Sequence, residues 1–504
     1  MADAAKFLLG LDAGNTVIKA VLFDLAGRQV AMHAIDGRSQ TPRPGYVERD
    51  LNELWANARE AIRSCIAQAG IDGRAIAGVG CAGHGNGLYL IDGAGEPLLG
   101  IQSLDTRASG TASRLAGDAD ALHAICLQKP WPAQTPTLLA WVRQHAPEIY
   151  QRTGTVMLCK DFVTFRLTGE RVSDVSDMSG CGLVRMPAGQ YDAELLSLYG
   201  LTDAASKLPR LLDPADIAGQ VTAAAAAETG LAEGTPVIAG YFDVVSSAMG
   251  AGVVRPGEAS IIVGTWSINQ TFSKAPVNDP DVFMAARFGP ERFVNIESSA
   301  TSAANLEWYV RELVERGGHH DDPFGHCNRL VGDTSPSWDD PLFHPFLYGS
   351  RLGAGFRAGF YGLAGWHGEG HMLRALFEGV MFEHRRHVEV LKRAGLDIGS
   401  AVLSGGGSRS EHWPQIFADG LGMPITVPEA RETGALGAAI GAGVAVGLFA
   451  GYEAAVDAMT RPRESYRPDP AMKDHYDRRY RAFRGLADVL GPFWAEQAGG
   501  PKGT

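Results

Sequence analysis

The sequence predicts an α/β protein made of two duplicated domains, and three observations carry that expectation. Strand-like apolar runs alternate with helical ones along the chain. A strand, a tight turn and a second strand at Leu9–Asp24, LGLDAGNTVIKAVLFD, return at Glu258–Thr271 as EASIIVGTWSINQT. That is the layout of a repeated core with a cleft between its halves. A length of 504 residues accommodates two large domains. The divide is expected near Gly250–Gly257, giving domains over 1–252 and 253–504.

In the first repeat, two apolar runs flank Gly14-Asn15-Thr16. The turn is too short for a crossover helix, so the pair reads as a β-hairpin. Gly14 supplies free dihedrals, and Asn15 tolerates the left-handed region. Backbone N–H groups converge in such a turn and form an anion-binding concavity. Thr16 adds a hydroxyl donor, and Lys19 is the nearest cation. Asp12, at the end of the first strand, is compatible with a phosphate if Mg²⁺ sits between them, directly or through water. An ordinary hairpin with a capping Asp reads the same residues equally well. A Walker A loop or a Rossmann turn does not, since both lead into a helix.

Further along, a third strand is expected near Gln29–Ile35. Apolar spacing at Leu54, Ala58, Ile62 and Ile66 predicts a helix over Leu51–Ala69. A strand at Ala75–Cys81 enters the glycine-rich loop Gly83–Gly87, and Leu88–Ile91 leaves it toward a turn at Ile91-Asp92-Gly93. Helices are expected at Thr137–Gln144, at Lys160–Leu167, and from Ala223 to near Gly230. Pro236–Gly252, PVIAGYFDVVSSAMGAG, places Asp243 where a buried strand gives way to a helix. Such an Asp is either an N-cap or a general base at a strand's carboxyl end, where open α/β sheets bind ligands. As a base it would take the proton of a sugar hydroxyl late in phosphoryl transfer, so its pKa needs no raising. At Ala401–Ala442 a strand ends in Gly405–Gly407, and Ser408, Arg409 and Ser410 open a helix. Backbone bared there can lie against a nucleotide's α-phosphate or ribose, with the helix N-terminus adding positive potential.

Hydrophobic content of 45% with 20% charged residues is that of a globular protein with sizeable cores. A net charge of −12 and a pI near 5.6 argue against nucleic acid or an anionic membrane as partner. The six cysteines are scattered without a C-x-x-C pair, and no basic region leads an apolar stretch before the first strand. Both features predict reduced thiols in a cytoplasmic protein. Thr433–Tyr452 carries no charge, yet its glycines and alanines make it weakly hydrophobic for a membrane span. Small residues at helical spacing instead allow close helix-to-backbone approach inside a packed domain. Composition leaves a homodimer open.

Together these motifs resemble the FGGY carbohydrate kinase family, within the actin/hexokinase/Hsp70-like (ribonuclease H-like) superfamily. The matching pieces run in family order over nearly the whole chain. They are LGLDAGNTVIKAVLFD, PGYVERD at Pro44–Asp50, the Gly83–Gly87 loop, Asp105-Thr106-Arg107 and KDFVTFRLTGE…SDVSDMSG. YFDVVSSAMGAG, GTW at Gly264–Trp266, ATSAANLEW at Ala300–Trp308 and SGGGSRSEHW…ETGALGAAIGA complete the set. The resemblance implies ATP- and Mg²⁺-dependent phosphorylation of a polyol, aldonate or ketose by two domains that close over the cleft.

Carried over by position, Asp243 would be the catalytic base and Asp12 would help hold Mg²⁺. Gly14, Asn15 and Thr16, beside Lys19, would clasp the β/γ-phosphates, and Gly264 with Thr265 would form the second clasp. Gly406, Gly407 and Ser410 would meet the α-phosphate and adenosine, the last standing where relatives often hold Asn. The sugar would meet His84, Gly85, Asn86, Asp105 and Asp243. The loop matching His84-Gly85-Asn86 usually reads Gln-Met-His in xylulose kinases and Gln-Arg-Glu in glycerol kinases. The family's Trp two residues before Asp105 is Ser103 here, and a Tyr that glycerol kinases carry near Ala133 is absent. SLDTR and FDVVS look closer to L-xylulose and 3-keto-L-gulonate kinases. That favours a ketose such as xylulose over glycerol, erythritol or gluconate.

Other features read more plainly. His319, His320, Asp321, Asp322 and His326 have a metal-like composition but sit in a Gly- and Pro-flanked stretch that reads as solvated loop. Gly353–Gly359 lacks the strand-before, helix-after context of a dinucleotide turn. Trp131 reads as core packing ahead of sugar stacking. His84, in a run rich in glycine, has little side-chain company to bury it and reads as a substrate contact. An actin- or Hsp70-like ATPase using the same clasps is the alternative from another class. It would need an interaction subdomain for which no segment is found, and an idle sugar sensor would lack clasp or base.

Overall fold

The computed structural model describes residues 6–318, 320–353 and 355–498. His319 lies outside the described residues. β1 (Phe7–Ala13) and β2 (Val17–Asp24) pair antiparallel, with Asp12 opposite Lys19 and Ala13 opposite Ile18. β3 (Gln29–Asp36) continues the meander. The helix Leu51–Ala69 follows, started by Asp50, whose carboxylate accepts the N–H groups of Asn52 and Glu53, and stopped by Gly70 at φ 64°. Its Leu54, Ala58 and Ile62 share one buried core with Leu9 and Leu11 of β1 and Ile18 of β2. β4 (Ile76–Gly83) then lies parallel to β1 on its free side, and β5 (Leu88–Asp92) leaves the loop beyond it. β6 (Ile217–Gln220), β7 (Pro236–Ile238) and β8 (Tyr241–Phe242) complete the sheet. Its order is β6-β7-β4-β1-β2-β3, with β7 and β8 both parallel to β4 and β6 antiparallel to β7.

The second sheet repeats this plan. β9 (Gly257–Val263) and β10 (Ser267–Ser273) form the antiparallel hairpin, and β11 (Phe293–Ser299) lies beyond β10. β12 (Ile398–Ser404) runs parallel to β9, β13 (Ile425–Pro428) parallel to β12, and β14 (Pro462–Tyr466) antiparallel to β13. Six of its seven strands, in the order β11-β10-β9-β12-β13-β14, therefore match β3-β2-β1-β4-β7-β6, while the seventh, Met284–Arg287, pairs with β11 at the edge. The repeat expected from two hairpins extends to six strands of each sheet.

The described residues form two compact units. One takes those within Met1–Arg255, Phe272–Asn295 and Glu432–Arg461, the other those within Pro256–Thr271, Ile296–Arg431 and Pro462–Thr504. Both units are discontinuous in sequence. The reason lies in the helix Thr433–Ala445, which packs on the first sheet. A Cβ on Gly10 of β1 would stand 1.9 Å from the Ala435 carbonyl oxygen, and one on Gly80 of β4 would stand 2.1 Å from that of Ala438. Only glycines let a helix lie this close on a strand pair. The charge-free stretch is thus a backrest for the sheet. No helix among the described residues is long and apolar enough to cross a membrane.

Gly80→Ala should accordingly lower stability by about 1–3 kcal/mol, the usual cost of overpacking. Urea denaturation measures this, and a midpoint equal to wild type would show that the helix can retreat freely.

Candidate active site

Alternation along β1 puts Leu9, Leu11 and Ala13 toward the helix Leu51–Ala69, and Gly10 and Asp12 toward the helix Thr433–Ala445. A Cβ on Gly434 would lie 2.6 Å from the Asp12 carboxylate, so this anion rests on the first turn of a helix. Unpaired N–H groups there favour negative charge. Burial nevertheless raises the Asp12 pKa to about 6, with Lys19 opposing and Glu432 adding to the rise. Lys19 donates to Glu432 at 2.6 Å, so the cation expected beside the turn is already ion-paired.

Asp243 is the first residue of the helix Asp243–Gly250, and Phe242 takes the cap position. It is therefore not an N-cap. Register sets Ala13, Gly83 and Phe242 side by side, so β1, β4 and β8 end together and Asp243 follows directly. This is the carboxyl edge of the sheet, where α/β folds gather ligands. Burial, and then the negative charge of Asp12, raises the Asp243 pKa to about 8, with the Val244 N–H opposing. The mechanism does not call for this rise; it comes from burial and from Asp12, which the parallel β1–β4–β8 register brings within electrostatic reach. Two carboxylates at one strand edge are a donor set that suits a small hard cation completing its shell with phosphate oxygens.

The turn Gly14-Asn15-Thr16 is held from behind by its carbonyls. Arg49 Nη1 donates to Gly14 O at 2.8 Å, Gln102 Nε2 to Asn15 O at 2.6 Å, and Gly37 N–H to Thr16 O at 2.6 Å. The Asn15 amide reaches Ser103 Oγ at 2.9 Å. With its oxygens drawn back, the turn leaves the N–H groups of Asn15 and Thr16 without a partner among the described residues. That is the arrangement an anion-binding turn requires. Arg49 is only 2% exposed and brings a positive charge under the turn.

The loop after β4 is enclosed. His84 has its ring buried, Nε2 lies 2.8 Å from the Tyr89 hydroxyl, and burial with the Arg49 charge lowers its pKa to about 3. The company missing from its sequence neighbours comes from β5. Gly85 packs on Phe242, since a Cβ would lie 2.3 Å from that ring. Asn86 sits in the left-handed region at φ 62°, buried, with Oδ1 unpartnered among the described residues. Asp105 accepts from Val47 N–H at 2.6 Å and from the Arg107 N–H at 2.8 Å, while Arg107 also bridges to Glu48 at 2.7 Å. Trp131 is half-buried, its ring 6.3 Å from that of Phe283.

Behind Asp243 lies a cluster of enclosed charges. The Lys160 ammonium stands 2.5 Å from Asp161, 2.6 Å from Asp174 and 3.7 Å from Asp177. Burial alone would lower the Lys160 pKa, but the three carboxylates reverse this and hold it well above its ordinary value. Asp177 is pushed well up, chiefly by burial and further by Asp174, Asp161 and Asp243, against the pull of Lys160.

In the second unit, the β9–β10 turn repeats the first. Gly264 N–H reaches Trp266 O at 3.3 Å, Gly264 O accepts the Ala303 N–H at 2.8 Å, and Thr265 is exposed. Gly405, at φ 86°, and Gly407 lie flat on Val263 at the end of β9, where a Cβ on either would clash. Gly264, Thr265, Gly406 and Gly407 are thereby brought together. The α-helix expected to open at Ser408 begins at Trp413 instead, after a tight 3-10 turn over Gly406–Arg409. Pro414 suits only a first helical turn, and Ser410 Oγ accepts the Trp413 N–H at 3.1 Å. The Ser410 hydroxyl donates to Asn328 Oδ1. Gly406, Gly407, Ser410, Asn328, Phe324 and Leu306 line a cavity of ≈ 640 Å³, the size of a small-ligand pocket. In the stretch expected to be loop, His320, Asp321 and Asp322 do lie outside any helix or strand, but His326 sits in a helix from Pro323 to Asp333, with Asp322 accepting the Gly325 N–H at its start. Among the described residues no group of three or more His, Cys, Asp or Glu is placed to hold a metal.

Duplicated sheets with a phosphate-sized turn in each, and an acidic strand edge in the first, define a nucleotide-dependent phosphotransferase of the actin-like fold. The chain belongs to the FGGY family of carbohydrate kinases, matching its N-terminal domain over 7–250 and its C-terminal domain over 259–446. It is 33% identical to the L-xylulose/3-keto-L-gulonate kinase of Escherichia coli (strain K12), over 97% of this chain and 98% of that one. It is 34% identical to a probable L-xylulose kinase of Pasteurella multocida (strain Pm70), over 96% and 99%. The solved xylulose kinase from Rhodospirillum rubrum matches with a TM-score of 0.88 at 29% identity, covering 97% of this chain and 100% of that one. The protein is a sugar kinase that uses ATP, and the family works with a divalent metal.

Proposed function

We propose that this kinase transfers the γ-phosphate of ATP to a hydroxyl of a ketose, xylulose or a near keto-sugar such as 3-keto-L-gulonate, with Mg²⁺ as its metal. One observation carries the catalytic part: Asp243 stands just past the joined ends of β1, β4 and β8, within electrostatic reach of Asp12 and next in the chain to Phe242, whose ring packs on Gly85 of the His84–Asn86 loop. The keto-sugar rests on the full-length similarity to kinases named for such sugars, together with the SLDTR and FDVVS segments.

In this reading Asp243, as carboxylate, accepts the proton of the attacking hydroxyl. The N–H groups of Asn15 and Thr16, freed by Arg49, Gln102 and Gly37, hold phosphate oxygens, with Gly14 shaping the turn. Gly264 and Thr265 do the same in the second unit, and Gly406, Gly407 and Ser410 border the nucleoside cavity. Asn86 offers its carboxamide to the sugar, Gly85 lets the loop approach Phe242, and His84 sets the loop through Tyr89. Asp105 orders the Glu48–Arg107 segment under the clasp, and Lys19 balances Glu432. Asp12 would hold Mg²⁺, which supplies positive charge to the phosphoryl oxygens when bound. All six cysteines are unpaired and buried, in keeping with a cytoplasmic setting.

An ADP-release screen over L- and D-xylulose, other pentuloses, pentitols, tetritols, glycerol, gluconate and 3-keto-L-gulonate tests the sugar. A keto-sugar should give the highest kcat/KM, and a clear preference for glycerol or gluconate would overturn the assignment. Asp12→Ala should raise the Mg²⁺ concentration needed for half-maximal rate and leave sugar binding by calorimetry unchanged. An unaltered Mg²⁺ dependence would remove Asp12 from the metal site.

A further inference from the structure

We infer that Ser176 is a positioning residue for Asp243, acting through the peptide N–H of Phe242, and that Asp174 and Lys160 lock Ser176 in place. The inference rests on the reading of Asp243 as the base. Ser176 lies in the short helix Val175–Gly180, fully buried, and its Oγ accepts the Phe242 N–H at 3.3 Å. Its hydroxyl donates to Asp174 Oδ1, which also takes the N–H groups of Ser176 at 2.7 Å and Asp177 at 3.2 Å. The other oxygen of Asp174 lies 2.6 Å from the Lys160 ammonium.

The direction of this chain is forced. A peptide N–H can only donate, so the serine oxygen must accept there. The serine proton must then go to an acceptor, and Lys160 keeps Asp174 an acceptor by pairing with its second oxygen. The chain ends on a cation that is itself fixed, since Lys160 packs its Cβ against Gly83, where any side chain would clash at 2.9 Å.

Phe242 is where such a restraint acts on chemistry. β8 has only two residues, and Phe242 precedes the helix, so its N–H has no helical partner. The Ser176 bond grips the peptide on one side while Gly85 abuts the ring on the other. The next residue along is Asp243, whose carboxylate must meet a hydroxyl within hydrogen-bond reach. Loss of the grip lets the junction drift, and a displacement of about 1 Å near the chemistry can cost up to about 10²-fold in rate. The nucleotide contacts, and the sugar contacts made by residues other than Asp243, do not pass through the Ser176 bond and should not change.

Kinetics of Ser176→Ala, Ser176→Thr, Asp243→Asn and the Ser176→Ala/Asp243→Asn double variant, with L-xylulose as acceptor, test this. Ser176→Ala should lower kcat by roughly 10-fold or more, with sugar KM, binding of a non-hydrolysable ATP analogue and thermal midpoint near wild type. Ser176→Thr, which keeps the hydroxyl, should recover most of the loss. In the Asp243→Asn background Ser176→Ala should add nothing, because the group it places is gone. A wild-type kcat in Ser176→Ala, or a loss that persists in full on top of Asp243→Asn, would overturn the inference while leaving the base intact. A loss shared equally by ATP-analogue affinity and thermal midpoint would also overturn it, as a general structural defect. Wild-type turnover in Asp243→Asn would overturn the base assignment itself.

Discussion

Asp243→Asn is expected to lower kcat by about 10²–10⁴-fold, the usual worth of a positioned general base. An amide of the same shape keeps the packing at the end of β8 but cannot take a proton. Affinity for a non-hydrolysable ATP analogue should hold, because the clasp turns do not use this side chain. Turnover near wild type in a folded variant would show that another group, or none, takes the proton. The pH dependence carries its own signature. Burial and the Asp12 charge hold the Asp243 pKa at about 8 in the metal-free protein, above the ordinary 3.8. A base must be ionised, so the rate at low Mg²⁺ should rise with pH toward 8, and added Mg²⁺ should move that limb to lower pH. For stability the sign is opposite. The folded state binds this proton more tightly than the unfolded chain, so the contribution is full below pH 3.8 and is lost as pH rises through about 8. Thermal midpoints of Asp243→Asn in metal-free buffer should therefore fall less between pH 5 and 8 than those of wild type. Parallel curves would show that Asp243 is not desolvated as described.

Lys160→Met is expected to destabilise the protein by about 3–5 kcal/mol, the cost of stranding buried charge by removing its partner. Asp161, Asp174 and Asp177 are all fully enclosed, and Lys160 is the cation they share. Methionine fills similar space, so the loss reports charge rather than a cavity. The deficit should shrink at acidic pH, where the stranded carboxyls can take up protons. Urea denaturation at pH 8 and pH 5 measures both effects. An unchanged midpoint at pH 8 would mean that the three carboxyls are already neutral and that the cluster holds no ion pair.

Local pattern carried much of this architecture. The hairpin at Gly14, the helix Leu51–Ala69 and the Gly230 stop after Ala223 depend on neighbouring residues, so periodicity and turn chemistry expose them. The small residues of Thr433–Ala445 likewise announced a close approach, though not which sheet would receive it. What stayed hidden depends on pairings distant in sequence. Arg49 and Lys160 lie in motif segments, but a charged residue in a strand of text gives no sign of a buried partner. Arg49 meets Gly14, Lys160 meets Asp174, and Lys19 meets Glu432 only after folding. The raised pKa of Asp243 was invisible for the same reason, since its burial, and the approach of Asp12 through strand register, arise only on folding. The helix start was misplaced at Ser408 because the glycines suggested a strand-to-helix turn, whereas Pro414 and the Ser410 contact with Trp413 delay it.

The most direct measurement follows the label from γ-labelled ATP in the presence of L-xylulose or 3-keto-L-gulonate, counting labelled sugar phosphate and inorganic phosphate against ADP formed. A keto-sugar kinase using Asp243 should give one labelled sugar phosphate for each ADP, with that product nearly abolished in Asp243→Asn. Label released only as inorganic phosphate, at a rate indifferent to sugar and to Asp243, would contradict it and reassign the chain to an ATPase.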